Sequence, residues 1–127
     1  MISSVLDASA FLALLLGEPG AEAVRPFLRR GCISAVNYSE VLARTAALCG
    51  SLDDARRRVD RHDVPVIPFD AEQAAAVASL LPATRSLGLS FADRACLALG
   101  LARGATVVTA DRPWMSLDIG VRIECIR

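Results

Sequence analysis

The chain opens with a short apolar run that ends on an acid. Residues 1–6 are typical of a buried strand, Asp7 follows directly, and a helix-forming run begins immediately after it. An unpaired carboxylate beside a buried strand is costly, so the position of Asp7 needs a reason. In open α/β sheets, ligands bind outside the carboxyl ends of the strands, near the point where the strand order reverses. The opening stretch therefore predicts a charged site at that edge of a sheet.

Strand-like and helix-like segments alternate along the whole chain. Five strands are predicted, at residues 2–6, 32–36, 64–69, 105–109 and 121–126. The third is interrupted by two prolines, which favours an edge position, and the fourth is a continuous apolar run, typical of a central parallel strand. This alternation predicts an α/β fold, a three-layer α/β/α sandwich with a mostly parallel five-stranded sheet. The length suits a single domain over residues 1–127.

Polar caps and glycines mark the expected helix boundaries. One early helix is expected over residues 21–30. Asn37 is expected to cap a later helix, with Glu40 completing a capping box three residues on. Ser90 and Asp93 repeat that spacing at the start of another helix.

Composition limits the classes of partner. The 14 basic residues, all of them arginines, balance 14 acidic residues, so net charge gives no sign of bulk attraction to nucleic acid or membranes. The hydrophobic fraction of 54% indicates either a generous core or an apolar surface for a partner. The Arg56–Arg58 run is typical of a solvated helix face, with contact to RNA or an acidic partner as the alternative. The sequence has no basic flank before its first apolar run and no apolar run near the ~20 residues of a membrane span. We expect a cytoplasmic protein.

The cysteines do not form a recognisable metal motif. Cys32, Cys49, Cys96 and Cys125 are widely separated, and His62 is the single histidine. Zinc sites need close pairs of such ligands. We therefore expect the four cysteines to be small core residues in a reducing compartment, and His62 to lie solvated on a polar helix.

Four acids occupy comparable places in the predicted topology. Asp7 ends the first strand and Asp111 lies just past the fourth, while Glu40 and Asp93 each lie in the first turn of a helix. Carboxylate oxygens suit hard cations such as Mg²⁺ or Mn²⁺, which can activate water and stabilise a phosphoryl transition state. Taken singly, each acid also has an ordinary interpretation as a cap or turn residue. Taken together, the four predict a divalent-metal site.

Three other side chains have two interpretations each. Ser9 and Thr109 adjoin acids at strand ends, where their hydroxyls either orient the carboxylates or serve turns and caps. Trp114 is either a core or an interface residue.

At these residues the sequence resembles the PIN-domain family, and within it the VapC-type toxins of bacterial toxin–antitoxin pairs. Four stretches carry the resemblance, in order along nearly the whole chain: 5–10 (VLDASA), 37–41 (NYSEV), 89–99 (LSFADRACLAL) and 108–114 (VTADRPW). One such stretch alone would be weak, whereas four in order are specific. The resemblance implies a PIN-like fold with strand order 3-2-1-4-5.

The resemblance also implies an activity, namely a Mg²⁺- or Mn²⁺-dependent endoribonuclease. Asp7 and Asp93 match the family's main metal ligands. Glu40 and Asp111 match the acids that bind the metal directly or through water. The family further implies an RNA substrate, a homodimer, and neutralisation by a cognate VapB-type antitoxin whose C-terminal segment lies across the active site.

Further matches and alternatives stay open at this point. Ser9 and Thr109 match polar positions that the family often has beside its acids, whereas Asp118 is an extra acid without a matched role. The chain could instead be a PIN-domain nuclease outside the toxin class, or a catalytically silent PIN-like binding module, which a missing acid would reveal. A receiver-type signalling domain would need a lysine after a late strand, and this chain has no lysine.

Overall fold

A single parallel sheet forms the centre of the molecule in a computed structural model that describes residues 1–127. Its order is β3-β2-β1-β4-β5, and every neighbouring pair is parallel. The implied strand order is thus confirmed, and the sheet is wholly parallel rather than mostly so. The strands are β1 (Ser4–Leu6), β2 (Gly31–Ser34), β3 (Val66–Ile67), β4 (Thr106–Thr109) and β5 (Ile123–Cys125).

Helices connect the strands and cover both faces of the sheet. The α-helices are α1 (Ala8–Leu16), α2 (Ala21–Val24), α3 (Ala35–Cys49), α4 (Leu52–Asp60), α5 (Ala71–Ser79), α6 (Leu81–Thr84) and α7 (Phe91–Arg103). Short 3₁₀ turns follow α2, α6 and β4, at Arg25–Phe27, Arg85–Leu87 and Arg112–Ser116. None of the helices combines the length and the apolar character that crossing a lipid bilayer requires.

Side chains of the central strands alternate between two buried clusters, one on each face. Val5 and Val107 pack in the cluster that contains α5 and α7. Their neighbours Leu6 and Val108 pack in the cluster that contains α1, α3 and α4. Successive side chains of a strand point to opposite faces, so each central strand is buried on both sides. This packing confirms the three-layer sandwich.

The pairing of β1 with β4 defines where a ligand can bind. The chain builds the sheet outwards from β1 in one direction and then crosses to β4, so the strand order reverses between these two. Leu6 lies opposite Val108 in the ladder, and the Asp7 N–H donates to the Val108 carbonyl at 2.9 Å. Asp7 and Thr109 therefore come side by side where the two strands end, at the switch point of the sheet.

The prediction that Asn37 caps helix α3 is wrong. Helix α3 begins at Ala35, because Ser34 at the end of β2 takes the cap position and accepts a hydrogen bond from the Val36 N–H at 3.2 Å. Asn37 consequently lies inside the helix and is fully buried. The capping box expected between Asn37 and Glu40 does not form.

The early helix is also shorter than its expected span of 21–30. Helix α2 ends at Val24 and a 3₁₀ turn replaces its continuation. Pro26 accounts for the difference, because proline lacks the backbone N–H that an α-helix would use for a hydrogen bond at this position.

The expected core positions of the cysteines hold for two of the four. Cys32 and Cys96 are buried, whereas Cys49 and Cys125 are only half-buried, and all four thiols are free. Trp114 is 1% exposed within the core, which decides between its two interpretations.

Candidate active site

The four predicted acids line one cleft at the carboxyl end of the central strands. Asp7 comes from the end of β1 and Asp111 from the segment after β4. Glu40 comes from α3 and Asp93 from the first turn of α7. Asp118 does not line it. The cleft has a volume of about 280 Å³, and its lining residues are Asp7, Ala8, Ser9, Leu12, Glu40, Arg44, Asp93 and Asp111.

Asp7 is the buried member of the set, with 3% of its surface exposed. Its Oδ2 accepts hydrogen bonds from the hydroxyls of Ser9, at 2.6 Å, and Thr109, at 3.0 Å. Its Oδ1 has no protein partner and is not sealed from solvent. The two hydroxyls thus fix one carboxylate oxygen and leave the other for a ligand.

The same hydroxyls tie the segment after β4 to the end of β1. The Oγ of Ser9 accepts from the Ala110 N–H at 2.9 Å, and the Oγ1 of Thr109 accepts from the Asp111 N–H at 3.0 Å. Each hydroxyl therefore donates to Asp7 and accepts from the backbone. In this geometry Ser9 and Thr109 orient Asp7 and, through the backbone, place Asp111.

Burial raises the pKa of Asp7 from 3.8 to about 6, because the charged carboxylate loses solvation. Hydrogen bonds from Ser9 and Thr109 lower this pKa, and the negative charges of Asp93 and Glu40 raise it. A bound cation would oppose the last effect. The electrostatics of the cleft therefore favour a positively charged ligand.

Asp93 serves the fold as well as the cleft. Its N–H donates to the Ser90 Oγ at 3.1 Å, and its Oδ2 accepts from the Ser90 N–H at 3.0 Å, which completes a capping box. The interpretation of Asp93 as a capping residue is therefore confirmed. The box nevertheless uses only one oxygen of the carboxylate, Oδ2. The other oxygen, Oδ1, has no protein partner, and Asp93 lines the cleft.

Asn37 links the two helices that carry acids. Its Nδ2 donates to the Glu40 Oε1 and to the Ala92 carbonyl, both at 3.0 Å, while its Oδ1 is buried without a partner. Ala92 immediately precedes Asp93, so the amide holds Glu40 beside the start of α7. Sequence reasoning missed this role. The available signal was the spacing, since residues three apart on a helix share a face.

The cleft suits a hard divalent cation by its chemistry but is not closed around one. No three acidic, cysteine or histidine side chains are grouped tightly enough to form a ready-made metal cage. The hydrogen bonds described above explain this, because each acid uses one carboxylate oxygen near the start of its own helix. Asp93 accepts from the Ser90 N–H, and Glu40 accepts from the Asn37 Nδ2. Mg²⁺ keeps several waters and binds through one or two carboxylates. The free oxygens of Asp7 and Asp93 fit that mode.

Comparisons with known proteins agree with this arrangement. The DNA-bound VapBC structure from Salmonella typhimurium matches with a TM-score of 0.77 and 21% identity, covering 100% of both chains. A toxin-antitoxin complex from Klebsiella pneumoniae matches with a TM-score of 0.78 and 17% identity, covering 98% of both chains. VapBC-5 from Mycobacterium tuberculosis matches with a TM-score of 0.62 and 26% identity, covering 100% of this chain and 99% of that one. These likenesses show a shared fold.

Sequence comparison gives the family. No curated protein matches the chain by sequence. The family model for the PIN domain, in contrast, matches residues 4–118 and so includes all four acids of the cleft. Since that match spans most of the sequence, the chain belongs to the PIN-domain family of nucleases.

Proposed function

We propose that the protein is a Mg²⁺- or Mn²⁺-dependent endoribonuclease and the toxin of a VapBC-type toxin–antitoxin pair. The observation that carries this proposal is the complete set of four acids around one cleft at the switch point of the sheet. A catalytically silent relative would be expected to lack one of them. The VapBC complexes among the structural neighbours support the toxin assignment.

Asp7 and Asp93 would hold the ion through the carboxylate oxygens that their hydrogen bonds leave free. Glu40 and Asp111 would bind it directly or through water. When bound, such an ion supplies an activated water for attack on a phosphodiester and offsets the charge that develops in the transition state.

Neutral side chains position the carboxylates of the cleft. Ser9 and Thr109 keep the Asp7 carboxylate in one orientation, with its free oxygen towards the cleft. Asn37 keeps Glu40 beside the start of α7. Preorganised ligands of this kind lower the cost of rearrangement when substrate binds.

We also propose two protein partners, a second copy of the chain and a cognate VapB-type antitoxin. Large apolar side chains on the surface support two interfaces; they include Leu48, Leu52, Phe91 and Met115, all at least 49% exposed. An inhibitor that covers the cleft should present Arg or Lys, because a cation offsets repulsion among the carboxylates. We further propose that the protein acts in the cytoplasm, as expected from its sequence.

The direct test is cleavage of a susceptible RNA by the purified protein, with Mn²⁺ and with EDTA. We expect cleavage with Mn²⁺ and none with EDTA, and products that carry a 5′-phosphate and a 3′-hydroxyl, because water rather than the 2′-hydroxyl of the RNA would be the nucleophile. Asp93→Asn should abolish cleavage. Glu72→Gln, in the first turn of α5 and outside the cleft, is the matched control and should cut normally. Undiminished cleavage in EDTA, or 2′,3′-cyclic phosphate ends, would contradict the mechanism.

Growth separates the toxin from other PIN-domain nucleases. Expression of the chain alone should slow growth, and co-expression with its antitoxin should restore it. Metal-dependent cleavage without any effect on growth, at confirmed expression, would favour a nuclease outside the toxin class.

A further inference from the structure

We propose that the RNA strand leaves the acidic cleft along a groove between α1 and α3, where unpaired arginines bind its phosphates. This inference rests on the proposed function and adds the path of the substrate. The groove, called here the α1–α3 groove, consists of the acidic cleft and two further depressions beside α1. The middle one is lined by Ser9, Leu12, Leu16, Glu18, Arg44 and Arg127. The far one is lined by residues 14–16, Thr45, Arg58, Arg61 and His62.

The three depressions adjoin one another. The acidic cleft and the middle depression share Ser9, Leu12 and Arg44. The middle and far depressions share Leu16. Residues 9, 12 and 16 are three and four positions apart, so they lie on one face of α1. At 1.5 Å per residue they span about 10 Å.

Arginines without acidic partners line this groove. Arg44 lies at the mouth of the acidic cleft, and Arg58 and Arg61 lie in the far depression. None of the three takes part in any of the ion pairs of the chain. By contrast, Arg56 and Arg57 on the same helix are both paired with aspartates of α4. Arg58 and Arg61 thus border the groove without an acidic partner, and Arg61, which directly follows α4, also borders the depression that contains Arg56 and Arg57.

The far depression also contains uncharged hydrogen-bonding groups. Thr45 is 3% exposed, and its hydroxyl has no partner. His62 is half-buried and packs edge-on against Phe11 at 5.7 Å, so it is only partly solvated. Burial and the charges of Arg25 and Arg61 lower the pKa of His62, which favours the neutral imidazole. Such groups can bind a ligand oxygen without adding charge.

Charge complementarity favours a nucleic-acid strand in the groove. The carboxylates of the cleft repel the phosphates on either side of the scissile bond, and neighbouring arginines offset that repulsion. The apolar side chains of Leu12 and Leu16 offer a surface for the faces of bases between those phosphates. Stacked nucleotides lie about 3.4 Å apart along a strand, so 10 Å accommodates about three of them.

The test compares two pairs of arginine substitutions on α4 and at its C-terminal end. Arg58→Ala with Arg61→Ala removes the unpaired charges, and Arg56→Ala with Arg57→Ala removes the same number of paired ones. Binding of a fluorescein-labelled single-stranded polyuridine is measured in EDTA across a salt series, so that no cleavage is required. Cleavage kinetics with Mn²⁺ are measured separately. A lysine pair at 58 and 61 restores the charge, and melting temperatures check the folding of each variant.

The Arg58/Arg61 alanine variant should bind several-fold more weakly, and the slope of log affinity against log salt should fall by about 1.4, at about 0.7 for each phosphate contact. Its KM should rise while kcat stays near that of the parent, since these arginines lie outside the cleft. The lysine pair should recover most of the slope. Arg56/Arg57 substitution should leave binding unchanged.

Equal effects from the two alanine pairs would overturn the proposal, because they would show a response to net charge alone. RNA binding that is unchanged by the Arg58/Arg61 alanine substitutions would also overturn it. Failure of the parent protein to cut any RNA would refute the proposed activity, while the binding series in EDTA would still decide the path of the strand.

Discussion

The chemistry of the cleft depends on a carboxylate that is both buried and reachable. Asp7 has one oxygen fixed by two hydroxyls and another without a protein partner. Ser9 and Thr109 do more than add polarity, because each donates to the carboxylate and accepts from a backbone N–H. The backbone bonds set the direction of each hydroxyl proton. Asp7 is thereby held in one orientation, with its second carboxylate oxygen free for a ligand.

Thr109→Val tests this arrangement with almost no change in shape. The substitution leaves Asp7 with one donor and the Asp111 N–H without its acceptor. We expect the pKa of Asp7 to rise above about 6 and the free energy of unfolding to fall by about 1–3 kcal/mol. Cleavage should fall as well. Denaturant unfolding measures the stability, and Thr109→Ser, which keeps the hydroxyl, is the control. An equal loss in both variants would contradict a specific role for the hydroxyl, because Thr109→Ser retains it.

At the scale of elements, the position of Asp93 depends on how closely α7 approaches the sheet. Gly100 lies in the middle of α7, above β4. A Cβ at this position would lie 2.4 Å from the Val107 Cγ2 and 3.2 Å from the Val121 Cγ2. Val107 is fully buried and has no space into which to move. The missing side chain is therefore what allows the helix to lie against the strand.

Gly100→Ala should destabilise the protein despite the higher helix propensity of alanine. Overpacking costs about 1–3 kcal/mol, against a gain of about 1 kcal/mol in propensity. Adding Val107→Ala removes the clashing methyl group, so the double variant should lose less stability than the sum of the two single changes. Free energies of unfolding for the four proteins measure this coupling. Strict additivity would show that α7 shifts away from the sheet at little cost.

Some features of the helices and strands could be predicted from the sequence, and others could not. The alternation of strands and helices predicted the sandwich, because both faces of a parallel sheet must be buried. The strand order came from the family resemblance, since no local pattern says that β1 lies between β2 and β4. The cap of α3 was misassigned because Ser34 and Asn37 are both good caps, and the end of β2 decides between them. The part played by Asn37 requires contact with Ala92, which no local pattern reveals.

For the molecule as a whole, the acidic cleft lowers the stability of the metal-free protein. The pKa of Asp7 is 3.8 in the reference state and about 6 in the fold, so the folded protein binds the extra proton between these values. Stability is therefore fully present below about pH 4 and is lost as pH rises through 6. At about 1.4 kcal/mol per pKa unit, the loss is about 3 kcal/mol. A cation bound to the charged form reverses it.

This linkage predicts opposite pH dependences with and without metal. In EDTA, Asp7→Asn should be more stable than the parent at pH 7.5, and the difference should vanish near pH 4. Mn²⁺ should raise the melting temperature of the parent at pH 7.5 much more than at pH 5, because only the charged carboxylate binds it. The asparagine variant should gain little from Mn²⁺ at either pH. Melting curves over this range measure all three effects. A parent protein whose stability in EDTA rises from pH 4 to 7 more than that of the variant would contradict the assignment.

The pairing of β1 with β4 has a consequence for the synthesis of the protein. Asp7 is synthesised 102 residues before Thr109, whose hydroxyl holds it, and Asp111 follows Thr109. A nascent chain that ends before β4 has three of the four acids and no means of fixing the first. Under the proposed function, the nascent chain is therefore inactive until β4 has been synthesised. Harm to the cell can begin only after the final strands have docked.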